Sequence, residues 1–207
     1  ETASLPTCSE ISQTKMTDEE LMLAVCVGDR SAYQTLVRQH LKPISHYAYR
    51  MLGNQKDTED ITQEVFLKLW INASSWKKEK AKLTTWLHRI THNLCIDYLR
   101  KQGRVQTQRT FDEGSVGAIA GKKNDSGNED QLSLLHEVIN NLPESQRSAL
   151  TLCYYQGFSN KEAAVIMNIS VKALESAISR AKRTLRNQLT TNNEVPARKP
   201  EQKQEPK

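Results

Sequence analysis

The histidines and cysteines are the residues of this chain best suited to metal or nucleophile chemistry, and their spacing supports neither. Cys8, Cys26, Cys95 and Cys153 are widely scattered, form no metal-ligand pair, and read as free thiols that fill core space. His88 and His92 lie four apart, on one face of any helix. No Glu follows His88 as in a zinc-protease motif, however, and no third ligand is evident. The chain shows no phosphate-cradling glycine loop, no nucleophile–base pair and no paired carboxylates in a cleft context. The reading is therefore of a protein that is not an enzyme and uses no metal or cofactor.

Cations are the residues whose pattern does point to chemistry. Between Trp76 and Arg109 stand Lys77, Lys78, Lys80, Lys82, Arg89, Arg100, Lys101, Arg104 and Arg109, opposed only by Glu79 and Asp97. A second stretch, from Ser170 to Leu189, carries Lys172, Arg180, Lys182, Arg183 and Arg186 against Glu175 alone. The formal net charge is only +5, so the clustering matters more than the sum. Two basic regions far apart in sequence suit a polyanion held at two separate points. Solvated helix faces are the bland alternative for either cluster taken alone.

Helices must position these groups. Gly and Pro are scarce before the tail and aromatic content is 6%, which favours an all-α chain over a sheet-rich one. No apolar run approaches the roughly 18 residues needed to cross a bilayer. The N-terminal stretch has no apolar core of signal-peptide type. No membrane insertion and a cytoplasmic location are expected. Residues 1–16 are polar and read as disordered. A first helix starts near Thr17, with Leu21, Leu23, Ala24 and Val27 as its apolar side, and Gly28-Asp29 ends it. A second runs from about Ser31 to Leu52, kinked or broken at Pro43. A third, capped by Asp57, carries Ile61, Val65, Leu69 and Ala73 at i+4 steps, widened by Phe66 and Trp70. A fourth spans about Leu83 to Lys101, with Leu83, Leu87, Ile90, Leu94 and Tyr98 on one side. Residues 17–104 thus form one helical bundle. Residues 105–130, rich in Gly, Asn, Asp, Gln and Lys, read as a flexible linker. Helical patterning returns over 131–189, and 190–207 reads as a disordered tail.

The sharpest local signal lies between Gly157 and Leu189. Ser159 and Glu162 have capping-box spacing ahead of a short helix with Ala163, Ala164, Ile166 and Met167. Asn168-Ile169 makes a tight turn, and Ser170 caps a longer helix that buries Val171, Leu174, Ile178, Ala181 and Leu185. Lys172, Ala173, Glu175, Ser176, Ser179, Arg180 and Arg183 then face outward. Polar and basic groups on the first turns of a second helix are what major-groove reading needs. A hairpin used only for packing is the alternative. Upstream, Leu142-Pro143-Glu144 opens another helix, whose Leu150, Leu152, Cys153 and Tyr154 pack onto the hairpin.

The stretch "LPESQRSALTLCYYQGFSNKEAAVIMNISVKALESAISRAKRTLR" resembles region 4 of the sigma-70 family in its extracytoplasmic-function (ECF) group. "DTEDITQEVFLKLW" resembles region 2.2, and "SSWKKEKAKLTTWLHRITHNLCIDYLRKQGR" resembles regions 2.3 and 2.4. The resemblance implies two helical domains, region 2 and a region 4 helix-turn-helix, on a flexible tether. It implies recognition of the promoter −35 element through Lys172, Glu175, Ser176, Ser179, Arg180 and Arg183. It implies contact with core RNA polymerase through Asp57, Asp60, Gln63, Glu64 and Lys68 on the β′ clamp helices, with the β flap as a further contact. In the −10 element, Lys77, Lys78, Lys80 and Lys82 would supply charge, and Arg89, His92, Asn93 and Arg100 directed donors. Trp76 and Trp86 could stack on an unpaired base, although tryptophan at helical spacing is more often core; Trp86 is retained among the candidates. The partners implied are core polymerase, promoter DNA and an anti-sigma factor clamped between the domains. The chief rival is a two-domain helix-turn-helix regulator that does not bind core polymerase, and a more distant one is a helical recombinase.

Overall fold

The computed structural model describes residues 16–113 and 138–193, and every regular element among them is helical. The expected N-terminal disorder, most of the expected linker and nearly all of the tail lie outside the described residues. Among the described residues, no helix is long and apolar enough to cross a membrane.

The caps explain where the helices start. In α1 (Asp18–Cys26) the Thr17 hydroxyl accepts from the Glu20 amide, and the Glu20 carboxylate accepts from the Thr17 amide at 2.8 Å. A reciprocal cap of this kind contributes about 1 kcal/mol. α2 (Arg30–Leu52) is capped by Asp29 and stops at Gly53, whose φ of 69° is the left-handed conformation that glycine adopts without steric cost. α3 (Gln55–Ile71) is capped by Asn54, which accepts from the Lys56 and Asp57 amides. The cap is thus three residues earlier than the expected Asp57, which sits in the first turn. A 3₁₀ turn (Ala73–Ser75) and a loop lead to α4 (Leu83–Glu113).

Two further expectations for this half are corrected. The buried side of α1 is Leu21, Met22 and Val25, while Leu23 and Val27 stand 69% and 86% exposed. Pro43 neither breaks nor ends α2, which runs continuously through it. Leu36, Ile44, Tyr47, Ala48 and Met51 from α2 meet Ile61, Val65, Phe66 and Leu69 from α3 as expected, while α4 buries Leu83, Leu87 and Cys95 and leaves the expected Ile90, Leu94 and Tyr98 only partly buried at the edge of that core. His40 on α2 ties α1 in place through Asp18 at 3.2 Å.

The second half comprises α5 (Glu144–Leu150), a wide π-type turn (Thr151–Tyr155), α6 (Asn160–Met167) and α7 (Val171–Asn193). The π-type turn shifts the helical phase and leaves Tyr154 57% exposed, with Lys182 Nζ 4.7 Å from its ring centroid. Buried Leu150 and Leu152 do the packing expected of that segment.

The halves are not apart. Residues of α2, α3 and α4 share one contiguous buried core with Ala149, Leu152, Ala163, Ala164, Ile166, Leu174 and Ala177 of the second half. α6 packs along α4.

Candidate nucleic-acid interface

The helix-turn-helix is built by three local devices. Ser159 and Glu162 form the expected reciprocal cap on α6. Asn168 ends that helix at φ 53°, ψ 46°, the left-handed conformation that Asn tolerates better than most residues. Ser170 Oγ then accepts from the Ala173 amide at 3.2 Å and starts α7. Leu174, Ala177, Ile178 and Ala181 turn inward. Ala177, 3% exposed, is part of the core, and Val171, expected inward, is 38% exposed. The opposite face presents Lys172, Glu175, Ser176, Ser179, Arg180 and Arg183, all exposed. The first five line a single shallow concavity. Arg180 Nε donates to the Ser176 carbonyl at 3.2 Å, and Asn160 Nδ2 to Glu175 Oε1 at 3.5 Å. This shallow surface thus belongs to α7, with Glu175 alone reaching back to α6.

The lysine loop between the 3₁₀ turn and α4 is pre-shaped. Trp76 Nε1 donates to the Ala81 carbonyl at 3.1 Å, and the Lys80 amide to the Lys77 carbonyl at 3.0 Å. Trp76 is thus a strut across the loop, so core-like packing is its use in this state. Lys77, Lys78, Lys80 and Lys82 are all exposed. Lys78 pairs with Glu19 at 2.8 Å and Lys82 with Glu162 at 3.1 Å. Along α4, Arg89, Asn93 and Arg100 are exposed at helical spacing and share one face, while half-buried Trp86 packs against the core.

His92 does not join that face. It is 7% exposed, and its Nδ1 lies 2.9 Å from the Tyr47 hydroxyl. Burial, with Arg100 adding repulsion, pushes its pKa down to about 4. His88 is 3% exposed, gives its Nδ1 proton to the Thr84 carbonyl at 2.8 Å, and meets Phe158 edge-on at 4.7 Å. Its pKa is also lowered, chiefly by burial, with His40 adding a small repulsion against the hydrogen bonds of Thr84 and Gln156. Among the described residues no three His, Cys, Asp or Glu side chains gather as a metal site.

Two depressed histidines make stability acid-sensitive. The unfolded chain binds protons from about pH 6.5 downward, whereas folded His92 resists them until about 4, so stability falls as pH drops through that window. His92 alone accounts for about 3 kcal/mol at the acid end. The melting temperature should be highest near pH 7 and decline from pH 6.5 to 4, with a shallower decline in His92→Asn. A profile identical in the two proteins would remove His92 from this account.

The outer face of α3 presents Asp60, Gln63 and Glu64, with Lys68 half-exposed and 3.4 Å from Glu64. Asp57 differs: it is half-buried and bonded toward the Tyr98 hydroxyl of α4, so it faces the bundle more than solvent. Leu67 and Ile71, 55% and 65% exposed, belong to this outer face and were missed. Their signal is that they fall off the Ile61–Val65–Leu69 stripe.

Comparison with known proteins gives a consistent result. Residues 36–105 match the profile of Sigma-70 region 2, and residues 132–185 that of Sigma-70, region 4. The chain is 31% identical over 176 residues to the ECF RNA polymerase sigma factor SigW of Bacillus subtilis, covering 78% of this chain and 91% of that protein. It is 31% identical over 171 residues to the ECF RNA polymerase sigma factor SigE of Mycolicibacterium smegmatis, covering 80% of this chain but 66% of that longer protein. Among solved structures, the sigma factor RpoE of Bartonella quintana, in complex with the anti-sigma factor NepR, is similar with a TM-score of 0.61 and 25% identity. That match covers 78% of this chain and 98% of RpoE.

Proposed function

The chain belongs to the ECF group of the sigma-70 family, and from that premise we propose that it directs core RNA polymerase to promoters through the three surfaces described above. α7 docks on the −35 duplex, with Lys172, Glu175, Ser176 and Ser179 near base edges and Arg180 and Arg183 toward bases and phosphates. The lysine loop and the Arg89–Asn93–Arg100 face of α4 hold the non-template strand of the opened −10 element. The α3 outer face, Asp60, Gln63, Glu64 and Lys68 with Leu67 and Ile71 added, grips the β′ clamp helices, and the second half meets the β flap. Asp57, half-buried beside Tyr98, lies at the edge of that face, and Trp86 and His92 are not needed as strand contacts in this packing.

The protein is a regulatory DNA-binding subunit that catalyses nothing itself. Strand opening is driven by binding energy for the unpaired strand, without nucleotide hydrolysis. It works in the cytoplasm, under the control of an anti-sigma factor, as the similar RpoE of Bartonella quintana is found in complex with the anti-sigma factor NepR.

The observation that carries this reading is the order of surfaces in one chain: region 2 with an exposed acidic face and a lysine loop, then region 4 with an exposed basic helix. The regulator alternative accounts for the second half only. Run-off transcription tests the proposal. Purified core plus this chain should initiate at discrete start sites on fragments of the source genome, while core alone should not. A transcript pattern unaltered by the chain would refute it.

The Trp76 strut yields a finer expectation. Trp76→Phe keeps the packing but removes the donor to Ala81. Affinity for a −10 single strand within the holoenzyme should fall by about threefold to tenfold, the worth of one hydrogen bond. Duplex −35 binding and helical content should stay unchanged. Loss of both DNA affinities together would mean general misfolding instead of loop disorder.

A further inference from the structure

Glu175 is the only acidic residue of α7, among Lys172, Arg180, Lys182, Arg183 and Arg186. It is exposed, and it lines the shallow outer surface together with Lys172, Ser176, Ser179 and Arg180. Among the described residues its carboxylate has no ion-pair partner. Asn160 Nδ2 donates to Oε1 at 3.5 Å, a long bond that leaves Oε2 open to another donor.

The usual reasons for an acid on a helix do not account for it. Coupling to the helix dipole fades beyond the first turn, and Glu175 stands past the turn that Ser170 caps. Lys172, one turn back, precedes the acid, which is the less favourable order for a helical pair, and the two side chains form no ion pair.

Facing DNA, the same carboxylate is repelled by the phosphates that its cationic neighbours attract. It favours binding only where it meets a donor. In the major groove the donors are the amino groups of cytosine and adenine. Adenine N6 stands beside N7, whose lone pair repels a carboxylate oxygen, whereas cytosine N4 stands beside a C–H edge. Cytosine therefore suits Glu175 better, and the paired guanine offers O6 and N7 to a neighbouring cation such as Lys172.

We propose that Glu175 determines specificity in this chain: its carboxylate accepts from the N4 amino group of one cytosine in the −35 duplex. Repulsion from phosphate completes the device, because it lowers affinity for every duplex that lacks the cytosine. The placement on a −35 duplex rests on the sigma-factor reading, whereas the preference for cytosine rests on the face of α7.

The test uses holoenzyme assembled from core polymerase and the full chain. Its template is a barcoded library in which each −35 base pair of a promoter found by run-off is varied in turn. Transcript counts then give the preference at every position. Wild type should favour cytosine at one position by about tenfold, the worth of a hydrogen bond to a charged group. Glu175→Ala should flatten that position and leave the others as they were. Glu175→Gln should admit adenine there, since an amide can bond N6 and N7 together. Both variants should bind duplex of unrelated sequence about threefold more tightly than wild type, because a repulsive charge is gone. Helical content should not change, since the residue is exposed. A variant profile identical to wild type, or one scaled equally at all positions, overturns the proposal. So does a position governed by Glu175 at which wild type prefers another base. If core plus the wild-type chain transcribes nothing, the sigma-factor reading fails, and the same library is selected on the immobilised full chain instead. There, cytosine enrichment that Glu175→Ala abolishes supports the proposal, and enrichment that persists or never forms overturns it.

Discussion

Charge reversal on the outer face of α3, in an Asp60→Arg and Glu64→Lys double variant, is expected to weaken association with core polymerase by about 100-fold, or roughly 3 kcal/mol. The size follows from where those groups sit. They are exposed and away from the buried stripe of Ile61, Val65 and Leu69, so they are free for a partner. Losing the Glu64–Lys68 pair, whose side chains are 46% and 42% exposed, costs the fold little. The new like charges at 64 and 68 cost about 0.5 kcal/mol more. Melting temperature should therefore barely move while binding to core collapses. Leu67→Ala with Ile71→Ala should weaken the same association without touching the electrostatics, because two exposed apolar side chains at the centre of a charged face suit a desolvated contact. Binding titrations of labelled chain against core measure both effects. Wild-type affinity in the charge-reversed protein would relocate the polymerase contact away from α3.

The second large effect is expected at Arg180. Its guanidinium is steadied by the Ser176 carbonyl and projects from the concavity shared with Lys172, Glu175, Ser176 and Ser179. A directed arginine on a major-groove face contributes about 1–3 kcal/mol to recognition, so Arg180→Ala should cut run-off from a cognate promoter by about 10-fold to 100-fold. Binding to core should be unchanged, since the α3 face is untouched. Arg180→Lys should recover little, because an ammonium cannot reproduce the planar fork. Full recovery by lysine would assign Arg180 to phosphate neutralisation instead of base reading.

Local devices were legible from residue order because they are local. The Ser159–Glu162 cap, the Asn168 turn, the Ser170 cap and the i+4 stripe of α3 each depend on neighbours a few positions away. The same locality made the polar face of α7 readable, although Val171, expected inward, is exposed as well. Errors arose where a longer-range preference decided. α1 hides Met22 and Val25 in place of Leu23 and Val27, because its azimuth is set by the Asp18–His40 bond and by packing on α2. Asn54 took the capping role expected of Asp57, since both residue types cap well and only chain geometry chooses between them. His92 was assigned to the strand-facing side of α4, but helical spacing also puts it above Tyr47, forty-five positions away, and that partner holds it inside. The seam between the halves lay beyond sequence reasoning altogether. It joins Pro43 to Gln156 and Met51 to Ser148, contacts that no periodicity encodes.

The two helical domains are also coupled in this structure, because buried residues of both belong to one cluster. Acid should therefore loosen both halves together, since His88 and His92 sit where they meet or close to it.

Association with catalytic RNA polymerase lacking its own specificity subunit is the most direct measurement of what this protein is. Size-exclusion chromatography of the two, mixed at low micromolar concentration, should give a single complex at one-to-one stoichiometry that then binds promoter DNA at moderate salt. Separate elution, with the chain alone still binding duplex DNA, would contradict the account and leave a DNA-binding regulator in its place.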